Sequence, residues 1–508
     1  MNPTDAAASP DFVSRTDHRQ HTPGAPQSPL WQHYMKMPDR EPARFARRFP
    51  YVGRMDMAWT VMLHRRGLID DATAKKLLEV LPDTLHESGW NSEYWLKEKL
   101  GGDEHTASVV SYGRTLQEPM HRMAMRDALL EVFEEAHAAA SDLLDKAERH
   151  AETMMAGQSH FSHAQPTTYG AYLLAVHDGI ARALKQLDLA YAETNQNSGG
   201  CGACSGTGWP VDREIITDLL GFEGTIEPAY DCEASQDEIP QIMFALSSVA
   251  LTLSRSAMDH SIWALEEMGM LEVAPEWQGV SSFMPQKAHS GMFENVRVAC
   301  DEVIGEMMKV ATTYKGESIQ DVLTVYKSPR HVYAATAWAR QGLGLFRHLV
   351  GSATVHVDRM AEIARNGYSG APDLAIILIR EKGFAGRQAH RVCCNFVRLA
   401  RERGIHPAQT TGDLLDEAAR LTDDPRPGLA DPQVRSAMTF ERFFETHCNL
   451  GDPCPSETHR LIGKRREHLQ QLEQRQTDRR ERLRDADRKL AEAIGAITGK
   501  TPEFAPEA

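Results

Sequence analysis

Apolar residues recur at helical spacing along most of the chain, and no stretch gives a convincing series of alternating strands. Residues 120–155 set Met123, Leu129, Leu130, Val132, Phe133, Leu143 and Leu144 among alanines and charged positions. Residues 172–195, 238–268 and 291–316 repeat the style, each long and interrupted only at its ends. Helices of that length need one another to bury their apolar faces, so the pattern predicts an all-α fold built on a central bundle of long helices.

Smaller helical regions flank the bundle. Residues 51–81 carry Met55, Met57, Val61, Leu63, Leu68 and Ile69, and Asp70-Asp71 opens a second helix. Gly367 to Gly370 break the pattern, Pro372-Asp373 start a shorter unit, and Pro425, Pro427 and Pro432 mark a loop after it. The expected divisions are a disordered arm over 1–30, an N-terminal helical domain over 31–115, and the bundle over 116–366. A small C-terminal helical domain over 367–455 and a charged helical tail over 456–508 complete the chain. The tail has apolar residues at 462, 469, 472, 483, 490, 494 and 497, partly heptad-spaced. That leaves two readings, a solvated helix or self-association through a coiled coil.

Composition narrows the function without naming it. The 508 residues are 42% hydrophobic and 25% charged, with a formal charge of −15. An acidic balance argues against nucleic acid as a main partner, because phosphate binding needs a basic face. It leaves room for an anionic substrate, which needs only a local basic pocket. No apolar run approaches the ~20 residues of a membrane span, and the polar first 30 residues lack a secretory core. Eight cysteines without disulfide-scaffold spacing point to a cytoplasmic location, and Cys201-Gly-Ala-Cys204 has no second ligand pair at zinc spacing.

Three separated segments combine glycine, small hydroxyls and basic residues between the long helices. They are Gly157-Gln-Ser-His-Phe-Ser-His-Ala-Gln-Pro166, Gly199-Gly-Cys-Gly-Ala-Cys-Ser-Gly-Thr-Gly208 and residues 279–290. Backbone can approach a ligand closely in such loops, and lids are made from them. Each also has an unremarkable reading: His160 as a satisfied polar residue at a helix start, the glycines as a turn, Ser281-Ser282 as an N-cap pair.

The order of the three segments resembles the aspartase/fumarase superfamily, and within it the argininosuccinate lyases. The superfamily signature Gly-Ser-Ser-x-Met-Pro-x-Lys is similar to Val280-Ser-Ser-Phe-Met-Pro-Gln-Lys287. Gly200-Cys-Gly-Ala-Cys-Ser-Gly-Thr207 and Val211-Asp-Arg-Glu214 resemble the branch's Gly-Cys-Gly-Ala-Leu-Ala-Gly-Thr and Ile-Asp-Arg-Glu. His163-Ala-Gln-Pro166 looks like its Arg-Ala-Gln-Pro, and Gly370-Ala-Pro-Asp-Leu374 with Gln388-Ala-His390 resembles its small helical domain.

The resemblance implies a cofactor-free carbon–nitrogen lyase that reversibly eliminates an amine or amino acid from an N-substituted aspartate to give fumarate. It implies Ser281 as catalytic base, Lys287 on the substrate carboxylate, and His160 oriented by Glu294 to assist protonation of the leaving amine. A serine can act as a base only where amides, a helix N-terminus and a lysine stabilise its alkoxide. The expected substrate contacts are Ser159, Gln165, Ser282 and His289, with Thr115 and Gln117 from the segment that grips the dicarboxylate in the family. The family also implies a homotetramer whose active sites combine loops of three chains.

Several positions depart from the pattern. The gripping Ser-Arg-Asn reads Thr115-Leu116-Gln117, so a bidentate guanidinium is lost at Leu116. Replacement cations are expected from Arg114, Arg122 or another subunit. The signature's Asn-Pro becomes His289-Ser290, and the tyrosine that holds the leaving group falls on Asp321. These changes argue against argininosuccinate itself and toward a cationic or polyamine-like leaving group, as in ethylenediamine-disuccinate-type lyases. The alternatives are elimination of a different group from a related β-substituted acid, or an inert crystallin-like relative.

Overall fold

A computed structural model describes residues 49–86, 92–115, 119–234, 236–320, 322 and 328–504. The proposed arm over 1–30 lies outside them, as do Leu116, Gln117 and Asp321.

Four helices open the described chain: α1 (Phe49–Arg65), α2 (Asp71–Val80), α3 (Ser92–Lys99) and α4 (Glu104–Ser108). Asp70 caps α2 by accepting from the Thr73 amide, as its place before an apolar-periodic run predicts. Met55, Trp59, Met62, Leu77 and Val110 pack into one apolar cluster with Met123, Ile216 and Phe222 from later in the chain.

The bundle consists of α5 (Met120–Arg149), α6 (Tyr169–Thr194), α9 (Glu238–Trp263), α10 (Met292–Gly316) and α11 (Pro329–Ser352). Between α5 and α6 lies a hairpin of β1 (Met154–Ser159) and β2 (Ser162–Thr168). Between α6 and α9 come β3 (Gln196–Asn197), α7 (Arg213–Leu219), β4 (Gly224–Thr225) and α8 (Ala229–Ala234). The α9–α10 connection holds β5 (Leu271–Glu272), β6 (Gly279–Val280) and β7 (Ala288–His289). β5 pairs with β8 (Thr354–Val355) beyond α11.

Side-chain links fix which ends of the bundle helices meet. At one end, Tyr169 at the start of α6 lies 2.9 Å, hydroxyl to Nε2, from His260 near the end of α9. Phe293 at the start of α10 packs 5.5 Å from the same imidazole, and Lys146 late in α5 donates to the Ala353 carbonyl just beyond α11 at 2.6 Å. At the opposite end, Arg122 early in α5 donates to Glu193 O near the end of α6 (2.7 Å) and to Glu238 at the start of α9 (3.0 Å). Helices of this length hold the two ends roughly 40 Å apart.

A smaller unit follows: α12 (Val357–Arg365), α13 (Ala371–Lys382), α14 (Gly386–Glu402), α15 (Gly412–Arg420), α16 (Asp431–Ala437) and α17 (Phe440–Thr446). Leu374, Leu378, Val392, Phe396, Leu415 and Val434 form its own core. A Cys448–Cys454 disulfide, with Cα atoms 5.4 Å apart, closes the loop into α18 (Pro455–Thr498). This long helix is docked along the molecule. Its Ile462, Leu469, Leu472 and Leu483 join the bundle core, while Leu490 and Ile494 join the N-terminal cluster. Its arginines meet bundle carboxylates, Arg465 donating to Asp178 through Nε and Nη2 and Arg479 pairing with Asp188. The apolar positions that suggested self-association are occupied within the chain.

Candidate active site

The segment carrying Ser281 is a hairpin-based loop leading into α10. β6 and β7 pair antiparallel, Gly279 opposite His289, so residues 281–287 project from a fixed base. Ser281 Oγ accepts two hydrogen bonds from its own loop, from the amides of Phe283 (3.2 Å) and Met284 (2.9 Å). The Lys287 amide returns to the Met284 carbonyl at 3.1 Å and closes the turn. Val280 and Phe283 are 87% and 90% exposed, and Lys287 also reaches solvent.

His289 holds the base of that loop. A Cβ on Gly279 would stand 2.2 Å from its ring and one on Gly291 2.6 Å, so the imidazole packs where side chains are missing. Its Nδ1 accepts from the Gly291 amide at 3.1 Å, which assigns the ring proton of the neutral form to Nε2. Glu294 sits exposed in the first turn of α10. The two serines were read as possible helix caps; Ser281 instead caps its own loop turn, ahead of α10.

The first glycine-containing segment is a strand pair rather than an irregular loop. Its two-residue turn is His160 (φ 53°) and Phe161 (φ 58°), both left-handed without a glycine. Hairpin turns of this kind favour Asn-Gly, so the sequence carries no hairpin signal here, and the turn stores backbone strain at the candidate histidine. Phe161 is 88% exposed, and Ser159, His160 and Gln165 all face solvent. Below the turn, a Cβ on Gly157 would meet the Gln165 carbonyl at 2.8 Å, and one on Gly367 the His163 ring at 2.6 Å.

The remaining candidates lie at the opposite end of the bundle. Arg114 turns inward, pairing with Asp56 and donating to the Val110 carbonyl at 2.7 Å, with its guanidinium over the Trp59 ring. Arg122 is likewise committed, to Glu238 and to the Glu193 carbonyl. Both sequence-proposed replacement cations are therefore buried in intrachain pairs, while Thr115 beside them is partly exposed. The glycine-rich segment 199–208 folds over α8, and Arg213 ties it down through the Gly199 (2.8 Å) and Ile226 (2.7 Å) carbonyls.

Nearby, Glu306 faces His331 at 2.5 Å and Lys309 at 2.8 Å. Burial pushes that carboxyl up, but the hydrogen bonds from His331 and Lys309 outweigh it and hold the group at about 2. No motif in the sequence signals the Glu306–His331 pair, whose members are 25 positions apart on two different helices.

One chain thus brings the His160 hairpin and the Ser281 loop to one bundle end, and the Arg114–Thr115 and glycine-rich segments to the other. Among the described residues no hydrogen bond or ion pair joins His160 to Glu294. An arrangement using all these side chains at once requires another copy of the chain.

The model of a family described as Lyase matches residues 74–305. The argininosuccinate lyase of Methanothrix thermoacetophila is 27% identical over 462 residues, covering 87% of this chain and 92% of the relative. That of Methanoculleus marisnigri is 29% identical over 435 residues, covering 82% and 86%. An EDDS lyase in complex with formate superposes with a TM-score of 0.83 at 26% identity, covering 91% of this chain and 94% of that one. A class II fumarase from Schistosoma mansoni, 13% identical with a TM-score of 0.63 over 77% of this chain and 89% of that one, shares the fold.

Proposed function

This chain is an argininosuccinate lyase-like member of the aspartase/fumarase superfamily, a carbon–nitrogen lyase that releases fumarate from an N-substituted aspartate, and on that premise we propose that Ser281 is the base that starts the elimination. The observation that carries the assignment is the pair of backbone amides aimed at Ser281 Oγ. Donors that already serve a neutral hydroxyl strengthen when it becomes an alkoxide, lowering the cost of deprotonating a very weak acid.

The alkoxide takes the proton from the carbon beside one substrate carboxylate, and negative charge spreads onto that carboxylate. Lys287, on the same loop, stabilises it. The C–N bond on the neighbouring carbon then breaks. His160, held in its tautomer by Glu294 of another copy, assists delivery of a proton to the departing amine. Ser159, Gln165, Ser282 and Thr115 contact the substrate, with Gln117 and Asp321. Asp321 selects a leaving group bearing positive charge. Arg114 serves as an anchor behind Thr115, and His289 as the support of the loop.

We assign the working form as a homotetramer with shared sites. α9 supports this: Phe244, Leu251 and Met258 are exposed at seven-residue spacing along one face of a central bundle helix. Such a stripe is a seam for another helix. Among the described residues no helix is long and apolar enough to cross a membrane, and the proposed location is the cytoplasm.

The reading is tested with purified protein and a panel of N-succinyl amines, including diamines, by the rise in absorbance as fumarate forms. Turnover is expected to be fastest with cationic amines. Ser281→Ala is expected to lower kcat at least ~10³-fold with helicity unchanged. Unaltered turnover in that variant removes the base assignment, and no fumarate from any substrate removes the substrate class.

A further inference from the structure

The glycine-rich segment and α8 bring two cysteines together that the elimination chemistry does not use. Cys201 and Cys232 are both buried, with Cys201 Sγ 3.4 Å from Oε1 of Glu233, the residue after Cys232, and the Cys232 thiol donating to the Ile226 carbonyl at 3.3 Å. Arg213 Nη2 points at Cys232 Sγ from 3.1 Å. Its other partners are the carbonyls of Asn197, Gly199, Ile226 and Glu227. Among the described residues no carboxylate pairs with that guanidinium, so a Cys232 thiolate is the counter-charge it has available. The acidic group facing the pair is Glu233, whose Oε1 lies 3.4 Å from Cys201 Sγ. The hydrogen bond from Cys201 and the nearby Arg213 outweigh burial and the Glu233 carboxylate, holding the Cys232 thiol at about 7. Cys300 and Cys393, by contrast, are pushed up to about 12 by burial.

We propose that Cys232 is a peroxide-reactive thiol and Cys201 its resolving partner, together forming a disulfide that pins the glycine-rich segment to α8. The Cys232 thiolate attacks the O–O bond of a hydroperoxide. An S–O bond forms, the O–O bond breaks, and for hydrogen peroxide the leaving hydroxide picks up a proton as water. The Cys201 thiolate then attacks the sulfenic sulfur, the S–S bond forms, and the S–O bond breaks to give a second water. Two thiols lose two electrons in total, and one peroxide becomes two waters. Residues 203–208 run on from Cys201, return to its carbonyl through the Gly206 amide at 2.8 Å and are largely exposed, so opening them moves little buried surface.

The test uses the full-length chain, reduced, desalted and exposed to stoichiometric hydrogen peroxide, then blocked with an alkylating agent, digested and mass-mapped. The expected product is a peptide joining Cys201 to Cys232, formed with a rate that rises with pH about a midpoint near 7. In Cys201→Ser, dimedone is expected to trap a sulfenic acid on Cys232. Arg213→Gln is expected to slow the reaction at pH 7 about tenfold by raising the thiol's pKa. Cys204→Ala, which spares both sulfurs and Arg213, is expected to leave the cross-link intact. The proposal is overturned if Cys204 or the exposed Cys394 takes the oxidation first, or if Cys201 and Cys232 react only after denaturation.

Discussion

Ser281 and His260 sit in surroundings that favour opposite charge states. At Ser281 the two amide hydrogen bonds favour a charged form. At His260, fully buried between Tyr169 and the Ser256 carbonyl (2.7 Å from Nδ1), burial keeps the ring neutral and lowers its pKa to about 4. Between that value and the ~6.5 of an unfolded chain, the unfolded state binds the extra proton, so stability falls as pH drops through this window. The shift corresponds to about 3 kcal/mol, all of it present at neutral pH and gone near pH 4. His260→Gln is expected to flatten this part of the stability–pH curve, measured by urea midpoints at pH 7 and 5. An unchanged slope would assign the acid sensitivity elsewhere. His150, half-buried and also lowered to about 4 by burial, works in the same direction.

At this scale the sequence was uneven evidence. Ser281 and Lys287 sit in a motif of eight residues that resembles the family signature, so the proposal for them could be made from the sequence. The inward turn of Arg114 was not, because its partner Asp56 is 58 positions away and only tertiary packing brings the two together. His289 was read as a substrate contact; its packing over Gly279 depends on a strand register that two-residue strands do not reveal.

At the scale of elements, the long helices followed from apolar periodicity, and Asp70 and Pro372 marked two helix starts. The hairpin at 154–168 escaped because His160-Phe161 lacks turn glycine or asparagine. The docking of α18 escaped because its many arginines read as a solvated face, whereas Arg465, Arg466, Arg479 and Arg480 meet acids on α5 and α6. Two predictions belong here. Ile494→Ala, at the junction of α18 with the N-terminal cluster, should cost about 2–5 kcal/mol in chemical unfolding. Gly279→Val should push the His289 ring out of its place and reduce kcat at least ~10-fold, with little loss of overall helicity by circular dichroism.

For the whole molecule, the bundle separates the candidate segments into two ends, and the exposed α9 stripe is the seam proposed for the tetramer. Leu251→Glu places a charge in that seam. Sedimentation velocity is expected to show smaller species, and fumarate formation to fall with them while each chain stays helical. A tetramer that persists at full activity would move the seam to another face. Nothing in the periodicity could separate the outward Phe244, Leu251 and Met258 from the inward Leu246 and Leu253, since a helix apolar all round names no neighbour.

The placement of α18 has a consequence for the order in which the protein is made. Its 44 residues run about 66 Å and supply apolar side chains to the bundle and the N-terminal cluster alike. A nascent chain therefore carries two unfinished seams until α18 has left the ribosome. Premature termination anywhere before residue 455 leaves both open at once, the kind of exposed surface that chaperones and proteases recognise.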